Sequence, residues 1–154
     1  IVVGDNESNL ESQKFSNKFI FTNPLPQSEE LIEYYSCADL YIQSSNIETW
    51  GLAISEALSC GLPVIASSVG AIPEQIKGFN RGNDHDPFNF YSINSANGLL
   101  FEKNNEQSLY EMIMWMFLNK DKMKLLGKNA LSFAKTKLDI NNSMNKYIEY
   151  YNSI

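Results

Sequence analysis

A single histidine, His85, and two cysteines, Cys37 and Cys60, are too little material for a zinc site of ordinary spacing. Both cysteines fall at expected helix ends beside apolar residues. They read as small buried residues in a reducing compartment rather than as a disulfide. No apolar run approaches the ~20 residues that a membrane-crossing helix needs, and no signal peptide is visible. Positive charge is not in excess: the net charge is -6, which disfavours nonspecific binding to nucleic acid. Internal repeats and low-complexity tracts are absent too. What remains is a 154-residue chain, 44% hydrophobic and 19% charged, a composition that supports a globular domain with a real core. The chain starts at Ile1, in the middle of the strand-like run Ile1-Val2-Val3-Gly4, and is expected to be a piece of a longer protein.

Short β-branched or aromatic runs alternate with amphipathic stretches. Strands are expected at Ile1 to Val3, Lys18 to Thr22, Leu40 to Gln43, Val64 to Ser67 and, after a turn at Asn97, through Phe101. Helices are expected at Asn9 to Phe15, after a Ser28 cap with Leu31, Ile32 and Tyr35 on one face, from Trp50-Gly51 to Cys60, and from Ile72-Pro73-Glu74. This alternation predicts a parallel sheet with helices on its faces. The last third reads as helical. Leu109, Met112, Ile113, Met116 and Phe117 form one apolar stripe, Asp121 caps a second helix running to about Lys137, and Met144, Tyr147, Ile148 and Tyr151 form a third stripe. The simplest role for these stripes is core packing. Gly78 to Ala96 is a long polar stretch, of the kind that is often functional or mobile. Within it, Asp84, His85 and Asp86 read as a solvated turn rather than a metal or acid-base site. Half of the 12 basic residues lie between Lys120 and Lys137, where a solvated helix face is a simpler reading than a patch for acidic lipid.

The densest chemical signal is the stretch from Glu48 to Glu56, Glu-Thr-Trp-Gly-Leu-Ala-Ile-Ser-Glu. It lies between two expected strands, with one carboxylate before a helix and one inside it. Exposed N–H groups at a helix N-terminus attract phosphate, and a carboxylate can accept hydrogen bonds from two neighbouring hydroxyls. A ligand with a diphosphate in its middle and diols at both ends, such as a nucleotide sugar, suits this arrangement. Glu56 lies about 7.5 Å along the helix from Gly51 at 1.5 Å per residue. The bare spacing is weak evidence. With 12 glutamates in this chain, roughly one such pair arises by chance. Either carboxylate alone could be an ordinary loop or helix-surface residue.

The setting adds the rest. Ala38-Asp39-Leu40-Tyr41-Ile42, the two glutamates, Glu56-Ala57-Leu58-Ser59-Cys60-Gly61-Leu62-Pro63-Val64-Ile65-Ala66-Ser67 and Val69-Gly70-Ala71-Ile72-Pro73-Glu74 together resemble the family 4, or group 1, glycosyltransferases. The resemblance implies an α/β fold, the Rossmann-like C-terminal half of a GT-B enzyme, with helices on both faces of a parallel sheet and a helical C-terminus. It also implies that the domain's first strand, with an Arg/Lys pair that holds the diphosphate, and the N-terminal acceptor domain would precede Ile1. A piece without that strand is expected to have limited stability alone and to be inactive as an isolated fragment.

By the same resemblance, Glu48 is the catalytic-site carboxylate that orients the donor sugar, and Glu56 holds the ribose diol. Thr49, Trp50, Gly51 and Leu52 complete the donor site, with amides facing the diphosphate, and Leu25 flanks the base. Trp50 stands where the family often has Phe, Ala71 where it often has Gly, and Asn6 and Asn23 where Gly is common. The implied reaction is transfer of a sugar from a UDP-, GDP- or ADP-linked donor to a glycan or lipid-linked acceptor, with retention and without a required metal or cofactor. It would serve polysaccharide or glycolipid synthesis in the cytoplasm or at the inner membrane face. Rival readings are an epimerase or phosphorylase of the same architecture, and a non-catalytic binding module.

Overall fold

The computed structural model of the chain describes residues 2–3, 21–22, 29–82 and 86–154. Two compact units are present, Ile1–Cys37 and Ala38–Ile154. In the first, β1 (Val2–Val3) and β2 (Phe21–Thr22) pair in parallel, with Val2 opposite Phe21. Helix α1 follows at Glu29–Cys37. The expected helix at 9–15, the Ser28 cap and Leu25 lie outside the described residues.

In the second unit, β3 (Tyr41–Gln43), β4 (Val64–Ser67) and β5 (Gly98–Phe101) form a parallel sheet in that order. Ile42 pairs with Ile65, and Ile65 with Leu99. Every residue of β4 and β5 is buried, as expected of parallel strands covered on both faces. Helix α2 (Leu52–Ser59) connects β3 to β4. It ends where the Leu62 amide turns back to the Ala57 carbonyl at 3.0 Å, and Pro63 then leads into β4. After β4 comes the single turn α3 (Ile72–Gln75), with Pro73 in its first turn. Ala71, at the head of α3, has φ -86, so the backbone there does not require the glycine that is frequent in the family.

The C-terminal third is helical: α4 (Glu106–Leu118), α5 (Lys120–Phe133), a π-helical turn (Ala134–Leu138) and α6 (Ile140–Asn152). The Asn105 side chain caps α4 by accepting the Ser108 amide at 2.9 Å. Met112 and Met116 of α4 and Met123 and Leu126 of α5 close over Ile65, Leu99 and Phe101 to make the core.

Several expectations need correction. Asn119, not Asp121, occupies the cap position of α5, and Asp121 lies in its first turn. Phe117 is exposed, with Lys120 Nζ 5.0 Å from its ring centre. The stripe Met144, Tyr147, Ile148 and Tyr151 is exposed throughout, and α6 has no buried residue. Periodicity identifies a helix face, but burial also requires a neighbour, and none of the described elements supplies one. Cys37 is exposed and Cys60 only half-buried, so neither is the buried residue its apolar flanks suggest.

The long polar stretch at residues 78–96 holds more structure than its composition suggests. Gly78 and Phe79 form bridges to Gly98 and Tyr91, and Phe79 joins the core. The Asn129 side chain donates to the carbonyls of Ile93 and Ala96, each at 2.8 Å. The described part of this stretch is therefore woven into the sheet edge. Asp84 and His85 lie outside the described residues. Asp86 accepts the Phe88 amide at 3.0 Å and the Asn89 side chain at 2.9 Å, the local bonding of a turn.

Candidate functional site

The loops at the carboxyl ends of the three strands of the second unit meet at one cleft of about 490 Å³. Asn46 to Glu48 arrive after β3, Ser68 to Gly70 after β4, and Glu102 and Lys103 after β5, with Phe88 closing one side. Ligands of open α/β sheets bind at this end of the strands.

The loop after β3 is held at several points. Tyr41 Oη donates to Gln43 Oε1. Gln43 Nε2 donates to Ser45 Oγ at 2.7 Å, and Ser67 Oγ donates to the Ser45 carbonyl at 2.6 Å. Further along, a Cβ on Gly70 would lie 1.7 Å from the Glu48 carbonyl oxygen, so the backbone at Gly70 passes directly against the backbone of Glu48. Gly51 has φ +81, a left-handed conformation that costs glycine little, and it turns the chain into α2. One oxygen of Glu48 accepts the Thr49 amide at 3.0 Å. The amides of Trp50, Gly51 and Leu52 find no acceptor among the described residues, as befits the first N–H groups of a helix. Trp50 is 41% exposed, and Leu52 is exposed beside it.

Glu48 and Glu56 come together electrostatically at Tyr41. Burial, then the charges of Glu56 and Glu48, push the Tyr41 phenol up to about 12. The Cys60 thiol is raised by burial and by Glu56. The sign for stability follows from proton binding. Above pH 10 the unfolded chain releases a phenol proton that the fold retains to about pH 12, so stability falls across that window. Alkaline denaturation of Tyr41→Phe is expected to show a shallower fall over the same range.

Of the residues singled out from sequence, Glu48 lines the cleft, while Thr49, Trp50 and Gly51 follow it on the loop, and Leu52 and Glu56 lie in α2, none of these five lining it. Leu25 lies outside the described residues. Sequence reading missed Gln75, Asn89 and Asn97, three buried carboxamides that tie the loops together. The Asn97 side chain donates to the Gln75 carbonyl at 2.9 Å and accepts the Lys77 amide at 2.7 Å. Asn89 and Asn97 lie outside the helices and strands, where single Asn residues are read as turns, and Gln75 lies in a helix of one turn, too short for a periodic signal. Among the described residues, no group of three His, Cys, Asp or Glu side chains is placed to hold a metal ion.

A second cleft of about 410 Å³ lies at the other end of the sheet, where Leu62 and Pro63 face Lys120, Lys124 and Lys128 of α5. The lysines between 120 and 137 are all exposed, and Lys122 lies over the rings of Trp115 and Phe79, at 5.5 and 5.9 Å.

The profile of the family described as "Glycosyl transferases group 1" matches residues 1–133. The chain belongs to this family. Among curated group 1 relatives, the sulfoquinovosyl transferase of Arabidopsis thaliana is 29% identical over 111 residues, 72% of this chain and 19% of the relative. The alpha-monoglucosyldiacylglycerol synthase of Acholeplasma laidlawii is 28% identical over 135 residues, 84% of this chain and 29% of the relative. This chain thus spans less than a third of the length of either. A solved glycosyltransferase from Rickettsia africae superposes with a TM-score of 0.72 at 21% identity, covering 98% of this chain and 38% of that one. Anabaena HepE, solved in complex with UDP-glucose, superposes with a TM-score of 0.73 at 20% identity, covering 94% and 35%. These likenesses show that the chain has the α/β fold of part of a GT-B glycosyltransferase. No helix among its described residues is long and apolar enough to cross a membrane.

Proposed function

We propose that this chain is the donor-binding half of a retaining glycosyltransferase that moves a sugar from a nucleotide sugar to an acceptor hydroxyl. The observation that carries the reading is the position of Glu48 in the cleft at the carboxyl ends of the strands, just ahead of the start of α2, whose first amides are unpaired among the described residues. Glu56 accepts hydrogen bonds from the two ribose hydroxyls. Glu48 orients the donor sugar with the oxygen that Thr49 leaves open. The amides of Trp50, Gly51 and Leu52 face the diphosphate. As the glycosidic bond breaks, negative charge grows on the leaving diphosphate. Dipoles already aimed there stabilise it without reorganising.

The acceptor, a glycan or a lipid-linked sugar, is brought by a further domain together with a basic pair on a strand ahead of Ile1. The isolated piece then binds donor but does not transfer. A cytoplasmic place, at times against the inner face of a membrane, suits such an acceptor. The UDP-glucose held by Anabaena HepE favours a uridine nucleotide among the UDP, GDP and ADP alternatives.

The test is calorimetric titration of the full chain and of Glu56→Ala with UDP-, GDP- and ADP-glucose. One nucleotide class is expected to bind. Hydrogen bonds to a charged group are worth about 1.5–3 kcal/mol, so the variant should bind about 10- to 150-fold more weakly. Equal binding by Glu56→Ala would remove Glu56 from the site. No binding of any donor would favour a non-catalytic module. Turnover of donor without acceptor would favour an epimerase.

A further inference from the structure

Gln75 lies outside the Glu48–Glu56 stretch, in the one-turn helix α3, yet its side chain is 0% exposed. Its Nε2 donates to the Trp50 carbonyl, and its Oε1 accepts from Ser55 Oγ at 2.8 Å. These partners lie on either side of Gly51, one before α2 and one in its first turn. Gln75 is in turn held in place, since its own carbonyl accepts from Asn97 Nδ2 at 2.9 Å.

The direction of the Trp50 bond matters. None of the described peptide bonds is cis, and in a trans peptide the C=O and the following N–H point in opposite directions. With the Trp50 carbonyl turned inward to Gln75, the Gly51 N–H turns outward. A peptide that ends in glycine can also adopt the flipped orientation, because glycine tolerates backbone conformations on both sides of the map. Flipped, it would present a carbonyl lone pair instead of an N–H to whatever occupies the site.

We propose that Gln75 is a positioning residue: it locks the Trp50–Gly51 peptide in the orientation that offers the Gly51 N–H to the donor diphosphate. This rests on the donor-site reading above. Gln75 touches no substrate atom and acts through the peptide it holds. It also couples α3 to the donor loop, so a shift of α3 would change the number of amides facing the diphosphate.

The experiment compares the parent full chain with Gln75→Leu and Gln75→Glu, using UDP-, GDP- and ADP-glucose as probes. The diphosphate of these sugars does not titrate between pH 5 and 8, so the ligand's charge stays constant. Gln75→Leu is expected to bind the donor at least tenfold more weakly at every pH. Gln75→Glu carries its own control. Its neutral carboxyl can donate to the Trp50 carbonyl, whereas its ionised form repels that oxygen. Burial raises the pKa of such a carboxyl. The affinity of Gln75→Glu relative to the parent should therefore recover as pH falls from 8 to 5. A purely structural role would make the recovery follow stability, so unfolding of Gln75→Glu is measured at each pH, and affinity that recovers at a constant folded fraction marks the positioning role. If Gln75→Leu fails to fold, the pH profile of Gln75→Glu still decides. Parent-like binding by both variants, with binding lost in Glu56→Ala, would overturn the role of Gln75 and leave the donor site standing. Binding of no probe by the parent would overturn both.

Discussion

Gly70→Ala is expected to lower stability by about 2–6 kcal/mol and to weaken donor binding at least about tenfold. Two costs add at this position. Gly70 has φ +52, where a residue with a Cβ is strained by about 1–3 kcal/mol. The added Cβ would also lie 1.7 Å from the Glu48 carbonyl oxygen and 2.9 Å from its carbonyl carbon. Both contacts are backbone, so no side chain can swing aside. Overpacking of this kind costs about 1–3 kcal/mol. The loop from Ser44 to Gly51 is the part that can yield. It is tied down by Ser67 at Ser45 and by Gln75 at Trp50, so displacement concentrates at Glu48 between the two anchors. Moving Glu48 by about 1 Å would break its hydrogen bonds to the donor, and one hydrogen bond to a charged group is worth about 1.5–3 kcal/mol, an about 10- to 150-fold loss of affinity. Chemical denaturation and donor titration of Gly70→Ala check both parts. A melt within 1 kcal/mol of the parent, with donor affinity intact, would show that the loop carrying Glu48 moves aside freely.

Asn89→Ala is expected to cost about 2–6 kcal/mol, a fall in Tm of roughly 4–24 °C for a domain of this size. The reason lies at the edge of the sheet. In a parallel strand, alternate residues direct both their N–H and C=O to the same side. Phe101 turns toward β4, where its carbonyl accepts the Ser68 amide at 2.8 Å. Leu100 turns outward, to a side with no further strand among the described residues. There the Asn89 side chain, 1% exposed, stands in for a strand. Its Oδ1 accepts the Leu100 amide at 2.8 Å, and its Nδ2 donates to the Leu100 carbonyl at 2.6 Å. Alanine would leave both buried groups without a partner, each costing about 1–3 kcal/mol. Asn89→Asp keeps an acceptor for the amide but sets an anion against the carbonyl, and should not rescue. The same side chain seats the neighbouring Phe88 at the wall of the Glu48 cleft, so donor affinity should fall with stability. A loss under 1 kcal/mol would mean that water takes over both bonds.

Much of this architecture was legible in advance. The strand runs around Tyr41–Gln43, Val64–Ser67 and Gly98–Phe101 are short, apolar and bounded by turns, and all three formed where expected. The helix between Gly51 and Cys60 was marked at both ends by glycine. One reading failed, and one stretch holds more structure than its composition suggests, for one shared reason. The apolar stripe of α6 and the polar stretch from Gly78 to Ala96 were judged by composition, but burial depends on what lies opposite. The stripe found no cover among the described elements, while the polar stretch found a sheet edge.

Local chemistry in the sequence determined the element order, the parallel α/β class and the placing of Glu48 and Glu56 about a helix start. Each depends on residues within one turn or strand of one another. Only the tertiary structure decided which side chains hold that arrangement. Gln75, Asn89 and Asn97 act across 11 to 25 residues. A carboxamide has no sequence signature for the backbone group it will meet. Its partner is chosen by how the sheet, the short helix α3 and the stretch before β5 close on one another. The unpaired backbone groups that need it exist only after that closure.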